Sequence, residues 1–211
     1  MRSIRHITPR YIVDRIKLWC YERRFPKRPW LTRDAAELLE KQLKPIFKGI
    51  EWGSGRSSLW FASRIEHLIS VEHNELWHGR VKQMLEDQSL TNVEQHLVEA
   101  KDGEESGQAI LDKYASVVLD VEDSSLDFAL VDALNRAQCI LNVIPKIKPG
   151  GILIFDNSNW YIPSSSRAPS PAKIVKGQIS DGFKEVLNLT SDWEKLETTN
   201  GVWDTVIWTK K

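Results

Sequence analysis

Apolar positions along this chain change period near residue 46. Upstream they recur at helical spacing: Thr8 can cap, Pro9 suits a first helical position, and Ile12, Ile16, Trp19 and Cys20 share one face. Pro26 and Pro29 mark a connector, and a second helix is predicted over 33–43, capped by Thr32, with Ala36, Leu39 and Leu43 on one face. Beyond 46, short apolar runs predict strands at 46–52, 68–72, 93–98, 127–132 and 151–156. They alternate with helical segments at 56–63, 75–86, 106–112 and 136–147. Lys148-Pro149-Gly150-Gly151 reads as a helix stop and turn feeding the last of these strands. Segments 193–198 and 202–208 flank Asn200-Gly201 and read as a hairpin. Such alternation specifies an α/β fold, a doubly wound and mostly parallel sheet with helices on both faces.

In such sheets ligands collect beyond the carboxyl ends of the strands, so the residues that close each strand carry the chemistry. The first run ends in Glu51-Trp52-Gly53-Ser54-Gly55 and opens directly into a helix. Gly53 can take the positive φ of a sharp turn, Gly55 lets a ligand approach the backbone, and the N–H groups that follow favour an anion. Ser58 stands where a dinucleotide fingerprint wants a third glycine, which argues against NAD and leaves a shorter E-x-G-x-G pattern. The second run ends at Glu72, seventeen positions after Gly55, where a β-α-β unit delivers an acidic side chain to ribose hydroxyls.

With Glu51, Gly53 and Gly55 as its first motif and Glu72 as the ribose-binding acid, the sequence resembles the class I S-adenosylmethionine-dependent methyltransferases. The resemblance extends over about residues 30–209 and is nearest to the small-molecule O-methyltransferases of the catechol and sugar-hydroxyl type. It implies a single Rossmann-like seven-stranded sheet with an antiparallel last strand, and S-adenosylmethionine as cofactor. It also implies that Ser54, His73 and Asp132 join Glu51, Gly53, Gly55 and Glu72 around the cofactor, with Glu99 beside the adenine. Asp132, Asp156 and Asn157, at the fourth and fifth strand ends, fall on a divalent-metal triad. Oxygen-only donors suit Mg²⁺. The plainer reading is a helix cap at Asp132 and an Asx-turn at Asp156-Asn157. The catechol branch has a lysine base where this chain has Asn135, which leaves His73, His78, Asp132 or metal-bound hydroxide as candidate bases, with Arg136 orienting the acceptor. That substitution also sustains a different reading, a binding or scaffold protein that keeps the cofactor pocket without transfer.

Charge sharpens this picture only at the start of the chain. Twenty-nine basic residues balance 29 acidic ones, giving no electrostatic case for nucleic acid, and Asp132-Ala133-Leu134-Asn135 is not the Asn/Asp-Pro-Pro-aromatic element of nucleic-acid methylation. Residues 1–33, however, hold ten Lys or Arg against Asp14 and Glu22, a balance of +8. The expected division is a basic helical arm over 1–31 and a catalytic domain over 32–211. The arm is expected to dock its apolar stripe on the core and leave its cations in water; the alternative is a surface for anionic headgroups. Cys20 and Cys139 lack metal spacing and read as free thiols, no run is long enough to span a bilayer, and the expectation is a cytoplasmic enzyme. Its expected partner is a small-molecule hydroxyl acceptor, with a homodimer as the assembly considered. Segment 157–180 is expected to sit over the site as a mobile lid or a substrate wall, and Trp52 or Trp60 to form a cofactor wall.

Overall fold

The computed structural model describes residues 7–100 and 107–211. Seven strands form one sheet in the order β3-β2-β1-β4-β5-β7-β6. Strands β1 (Lys48–Trp52), β2 (His67–Glu72), β3 (Val93–Leu97), β4 (Leu126–Val131) and β5 (Ile147–Asp156) run parallel, and β7 (Asp204–Thr209) pairs antiparallel with both β5 and β6 (Glu194–Thr199). The order reverses between β1 and β4, which are paired through Gly49↔Phe128 to Trp52↔Val131. A crevice opens at that reversal.

Both sheet faces are apolar, which is why the central strands read as continuous rather than alternating runs. Ile50, Trp52, Val71, Val131 and Phe155 face one layer, built from α5 (Gln108–Ser116), α6 (Arg136–Val143) and α8 (Asp181–Leu189). Leu68, Phe128, Leu130 and Ile154 face the other, where Ala35 and Leu39 of α2 (Arg33–Gln42) meet Phe61 of α3 (Arg56–Ala62). The remaining helix of this layer, α4 (Glu75–Asp87), packs Val81 and Leu85 beside α3.

The elements follow the sequence pattern with differences that have local causes. Lys148–Gly151 is absorbed into β5 as an irregular first half, with Gly150 at φ +78° and a register shift opposite Leu126/Phe128, instead of forming a free turn. Helix α8 was not expected, although Phe183 and Val186 bury one face of it. The Ser106 start expected for α5 lies outside the described residues. Trp52 and Trp60, expected at a cofactor wall, are buried in the core.

Segment 157–180 also departs from the lid expected of it. Ser158 and Asn159 are buried, a short 3-10 turn spans Ser158–Trp160, and α7 (Ala172–Val175) follows. Ser164 and Ser166 donate to Asp204 at 2.6 and 2.7 Å, which fastens the segment to β7.

The first helix, α1 (Pro9–Arg24), is capped by Thr8 as expected, but its orientation is the reverse of the expected one. Its buried residues are Asp14 and Leu18, whereas Ile12, Ile16 and Trp19 are about half exposed. The buried Asp14 is held by the half-exposed Arg167, at 3.1 and 3.2 Å, so an ion pair rather than the apolar stripe fixes the helix to the body.

Candidate active site

The glycine turn is set by the backbone of its neighbours. Gly53 donates its N–H to the Val71 carbonyl at 2.9 Å and has φ +94°, and a Cβ there would collide with the Asp132 carbonyl oxygen. Gly55 is different: a Cβ would meet only the Trp77 ring at 3.8 Å. The protein itself leaves room for a side chain at 55, so the open backbone faces the crevice for another reason.

Glu72 closes β2 and gathers the turn around its carboxylate. Oε2 accepts from the Ser54 N–H at 3.2 Å and its hydroxyl at 3.0 Å; Oε1 accepts from the N–H groups of His73 and Asn74, each at 2.8 Å, with His73 Nδ1 at 3.0 Å. Burial opposes ionisation here, but these donors outweigh it and hold Glu72 below the usual carboxylate range. Asn74 caps α4 by accepting from the Trp77 N–H, and the Trp77 indole donates to the Ser54 carbonyl at 2.7 Å. The turn is thus clamped from β2 and α4 together.

Glu51 lies on the other side of the turn, fully buried and off the cavity wall. It accepts from Ser58 and from Ser70, the latter at 2.7 Å, and Ser58 in turn accepts the Gly55 N–H at 2.9 Å. Among the described residues its second oxygen has no hydrogen-bond partner. Burial pushes its pKa up to about 7.

The crevice is a cavity of about 330 Å³ walled by the Gly53–Ser57 turn, Glu72, His73, Asn74 and Trp77 on one side and by Leu130, Asp132 and Ala133 on the other. Pro29, Trp30 and Leu31 roof it, and the Arg56 guanidinium stacks 4.8 Å over the Trp30 ring. At the β4 end, Arg136 donates to Asp132 Oδ1 at 2.7 Å, to the Asp156 carbonyl at 2.5 Å and to the Ala133 carbonyl at 2.9 Å, with Tyr161 beneath it. Asp156 is buried; it accepts from Thr205 and, at 2.9 Å, from the Asn157 amide.

Residues 50–158, more than half of the chain, match the model of a family described as Methyltransferase domain. The chain belongs to this family of S-adenosylmethionine-dependent methyltransferases. A search of curated proteins gave no match. Among solved structures, a putative caffeoyl-CoA O-methyltransferase from Staphylococcus aureus superposes with a TM-score of 0.58 at 19% identity, covering 98% of this chain and 95% of its own. A methyltransferase from Geobacter sulfurreducens gives 0.57 at 14% identity, covering 93% and 88%. An rRNA methylase from Streptococcus thermophilus gives 0.57 at 12%, covering 86% and 99%. At these identities the likeness is one of fold.

The residues of the methyltransferase fit an adenosyl cofactor. Gly55 leaves its backbone uncovered beside the crevice, Glu72 is held below the usual carboxylate range at the β2 tip, and Arg56 brings positive charge to the cavity lining. A ribose diol would compete with the Ser54 hydroxyl for Glu72 Oε2. Two residues expected at the cofactor sit elsewhere: Glu51 is behind the turn, and Glu99, two residues past the end of β3, is exposed and does not line the cavity.

The expected Mg²⁺ set of Asp132, Asp156 and Asn157 is not assembled. The Arg136 guanidinium occupies the space between the β4 and β5 ends and already supplies positive charge there. Asp156 is raised well above the carboxylate range by burial and by the neighbouring Asp132 charge, which favours its neutral form, and Asn157 turns its amide N–H toward it. A divalent ion needs several ionised oxygens around one open position, and of the two carboxylates here only Asp132 keeps an oxygen free of the protein's own donors. Among the described residues, no group of three or more His, Cys, Asp or Glu could hold a metal.

His73 and Asp132 both reach the cavity, but on opposite walls, with His73 directed at Glu72. Asn135 has φ +46° and donates to the Leu111 carbonyl at 3.1 Å, so it anchors α5 to α6. Sequence reasoning missed Trp77, Trp30 and Arg56. The spacing Asn74-x-x-Trp77 directly after the ribose acid, a cap followed by an aromatic in the first turn, was the available signal for the first. Nothing local marked Trp30, which reaches the cavity through the connector after α1.

Proposed function

We propose that the protein methylates a hydroxyl of a small-molecule acceptor, with Asp132 taking the hydroxyl proton and no protein-held divalent ion. The observation that carries this reading is the state of Asp132. Among the described cavity-lining carboxylates, Glu72 has both oxygens engaged by the protein's own donors, whereas Asp132 has only Oδ1 engaged, by Arg136. Burial raises its carboxyl above the ordinary value against the pull of Arg136, which brings its proton affinity nearer to what a base needs.

S-adenosylmethionine, when bound, supplies an electrophilic methyl group. Asp132 would accept a hydrogen bond from the acceptor hydroxyl, orient its lone pair toward the crevice, and take the proton as the O–C bond forms, while the sulfur–methyl bond breaks and its electron pair leaves on sulfur as a neutral thioether. Arg136 positions Asp132 and balances its charge. Glu72, His73 and the Gly53–Gly55 turn would hold the adenosyl end, and Arg56, which also lines the cavity, would supply positive charge for a carboxylate. The likeness to the Staphylococcus aureus structure supports an oxygen acceptor only at the level of shape.

Replacing Asp132 with Asn preserves size and removes basicity. Turnover on a panel of catechols, phenols and sugars should fall by about 10²–10⁴-fold, with S-adenosylmethionine affinity by calorimetry unchanged. The wild-type rate should decline on the acid side at a pH above the ordinary carboxylate range, because the raised group must lose its proton to act. Full turnover by the Asp132→Asn enzyme would remove Asp132 as the base.

A further inference from the structure

Helix α1 presents its apolar residues to solvent in a pattern that specifies a partner. Ile12, Ile16 and Trp19 are 49%, 56% and 54% exposed, and with Ile7 and Tyr11 they line a shallow apolar groove. At 100° per residue, the buried Asp14 and Leu18 lie roughly 160° round the helix from Ile16, so the stripe points directly away from the body. Arg15 lies roughly 100° to one side of Ile16, and Lys17 and Arg24 roughly 80–100° to the other. All three are exposed, and among the described residues neither they nor Arg23, which stacks 4.3 Å over Trp19, pair with a carboxylate. An apolar strip bordered on both sides by unpaired cations, in a chain whose overall charge is zero, is the reverse of a soluble helix's arrangement.

We infer that α1 is an in-plane docking helix for an anionic lipid bilayer. The stripe would enter the headgroup–acyl boundary while Arg15, Lys17 and Arg24 reach phosphate-level oxygens through their flexible stems. Charge selects this occupant over a second copy of the chain, because a two-fold pairing across the stripe would bring the same cations of both copies together. The inference is independent of the acceptor and of the base. No described helix is long and apolar enough to cross a membrane, so the contact is peripheral.

The full chain should co-sediment with phosphatidylcholine vesicles containing roughly 30% phosphatidylglycerol. Binding should weaken by at least about ten-fold on neutral phosphatidylcholine vesicles, or when salt is raised to roughly 0.5 M. The double variant Ile16→Asp/Trp19→Asp changes only exposed side chains and should keep its melting temperature and cofactor affinity, yet lose vesicle binding by about ten-fold or more. Wild-type protein that stays in the supernatant at low salt would overturn the inference, as would equal binding by the double variant. A dimer by analytical ultracentrifugation that the double variant splits into monomers would assign the stripe to self-association instead.

Discussion

Glu72 and Asp156 each close a parallel strand with a carboxylate that is almost wholly buried, yet their pKa values are shifted in opposite directions. At the β1–β2 edge, backbone N–H groups opening α4 converge on Glu72 with the Ser54 donors, and the carboxylate stays ionised. At the β4–β5 edge, Asp156 receives one hydroxyl and one side-chain amide, faces another carboxylate, and is pushed toward its neutral form. Burial is common to both; the number of donors aimed at the anion decides its charge. One edge keeps a fixed negative charge for a ligand. The other balances its charges internally around Arg136 and leaves only Asp132 facing the cavity.

The contrast can be broken most directly at Glu72. Charge-assisted hydrogen bonds contribute roughly 1.5–3 kcal/mol, so Glu72→Ala should weaken S-adenosylmethionine binding by about ten- to a hundred-fold in calorimetry. Because Glu72 also gathers Ser54, His73 and Asn74, the melting temperature should fall as well; unchanged affinity would detach the cofactor from this edge. The two glycines separate structural need from ligand need. Gly53→Ala meets both a left-handed backbone and the Asp132 carbonyl and should cost roughly 1–3 kcal/mol of stability by denaturant unfolding, whereas Gly55→Ala should leave unfolding unchanged and weaken cofactor binding. Equal destabilisation by the two would make the turn a purely structural device.

Glu51 provides a smaller and pH-resolved effect. Its folded pKa of about 7 lies above the ordinary value of 4.5, so the folded state holds a proton that the unfolded chain releases. Its contribution is fully present below about 4.5 and is lost as pH rises toward and through 7. Glu51→Gln should remove that decline and melt roughly 2–6 °C above wild type at pH 8, measured by thermal scans across pH. The smallest expected effect is none at all: with Arg136 between the β4 and β5 ends, turnover should survive a chelator, and its loss, restored by Mg²⁺, would reinstate the metal.

The first edge was largely legible in the sequence, and the second was not, for a physical reason. Gly53, Gly55 and Glu72 act through backbone geometry and strand position, both of which sequence spacing determines. Asp132, Asp156 and Asn157 did arrive at neighbouring strand ends, as their positions required. What spacing could not supply is the rotamer of Arg136, one helical turn past Asp132, which places a guanidinium between the two strand ends. Glu51 was misplaced for a similar reason: strand alternation points it at Ser58 and Ser70, away from the cavity. The apolar stripe of α1 was recognised correctly and assigned to the wrong side. Helical periodicity identifies a face, but Asp14 found Arg167, and that pair goes with the opposite face turned outward.

The same pair sets an order of events during synthesis. Arg167 follows Asp14 by 153 residues, so at typical elongation rates the anchor of α1 is made roughly eight to thirty seconds after the helix itself. Through that interval α1 must do without its Asp14 anchor, with the neighbours of Leu18 and Tyr21 already made. The ion pair that fixes α1 is therefore among the last of its contacts to be completed.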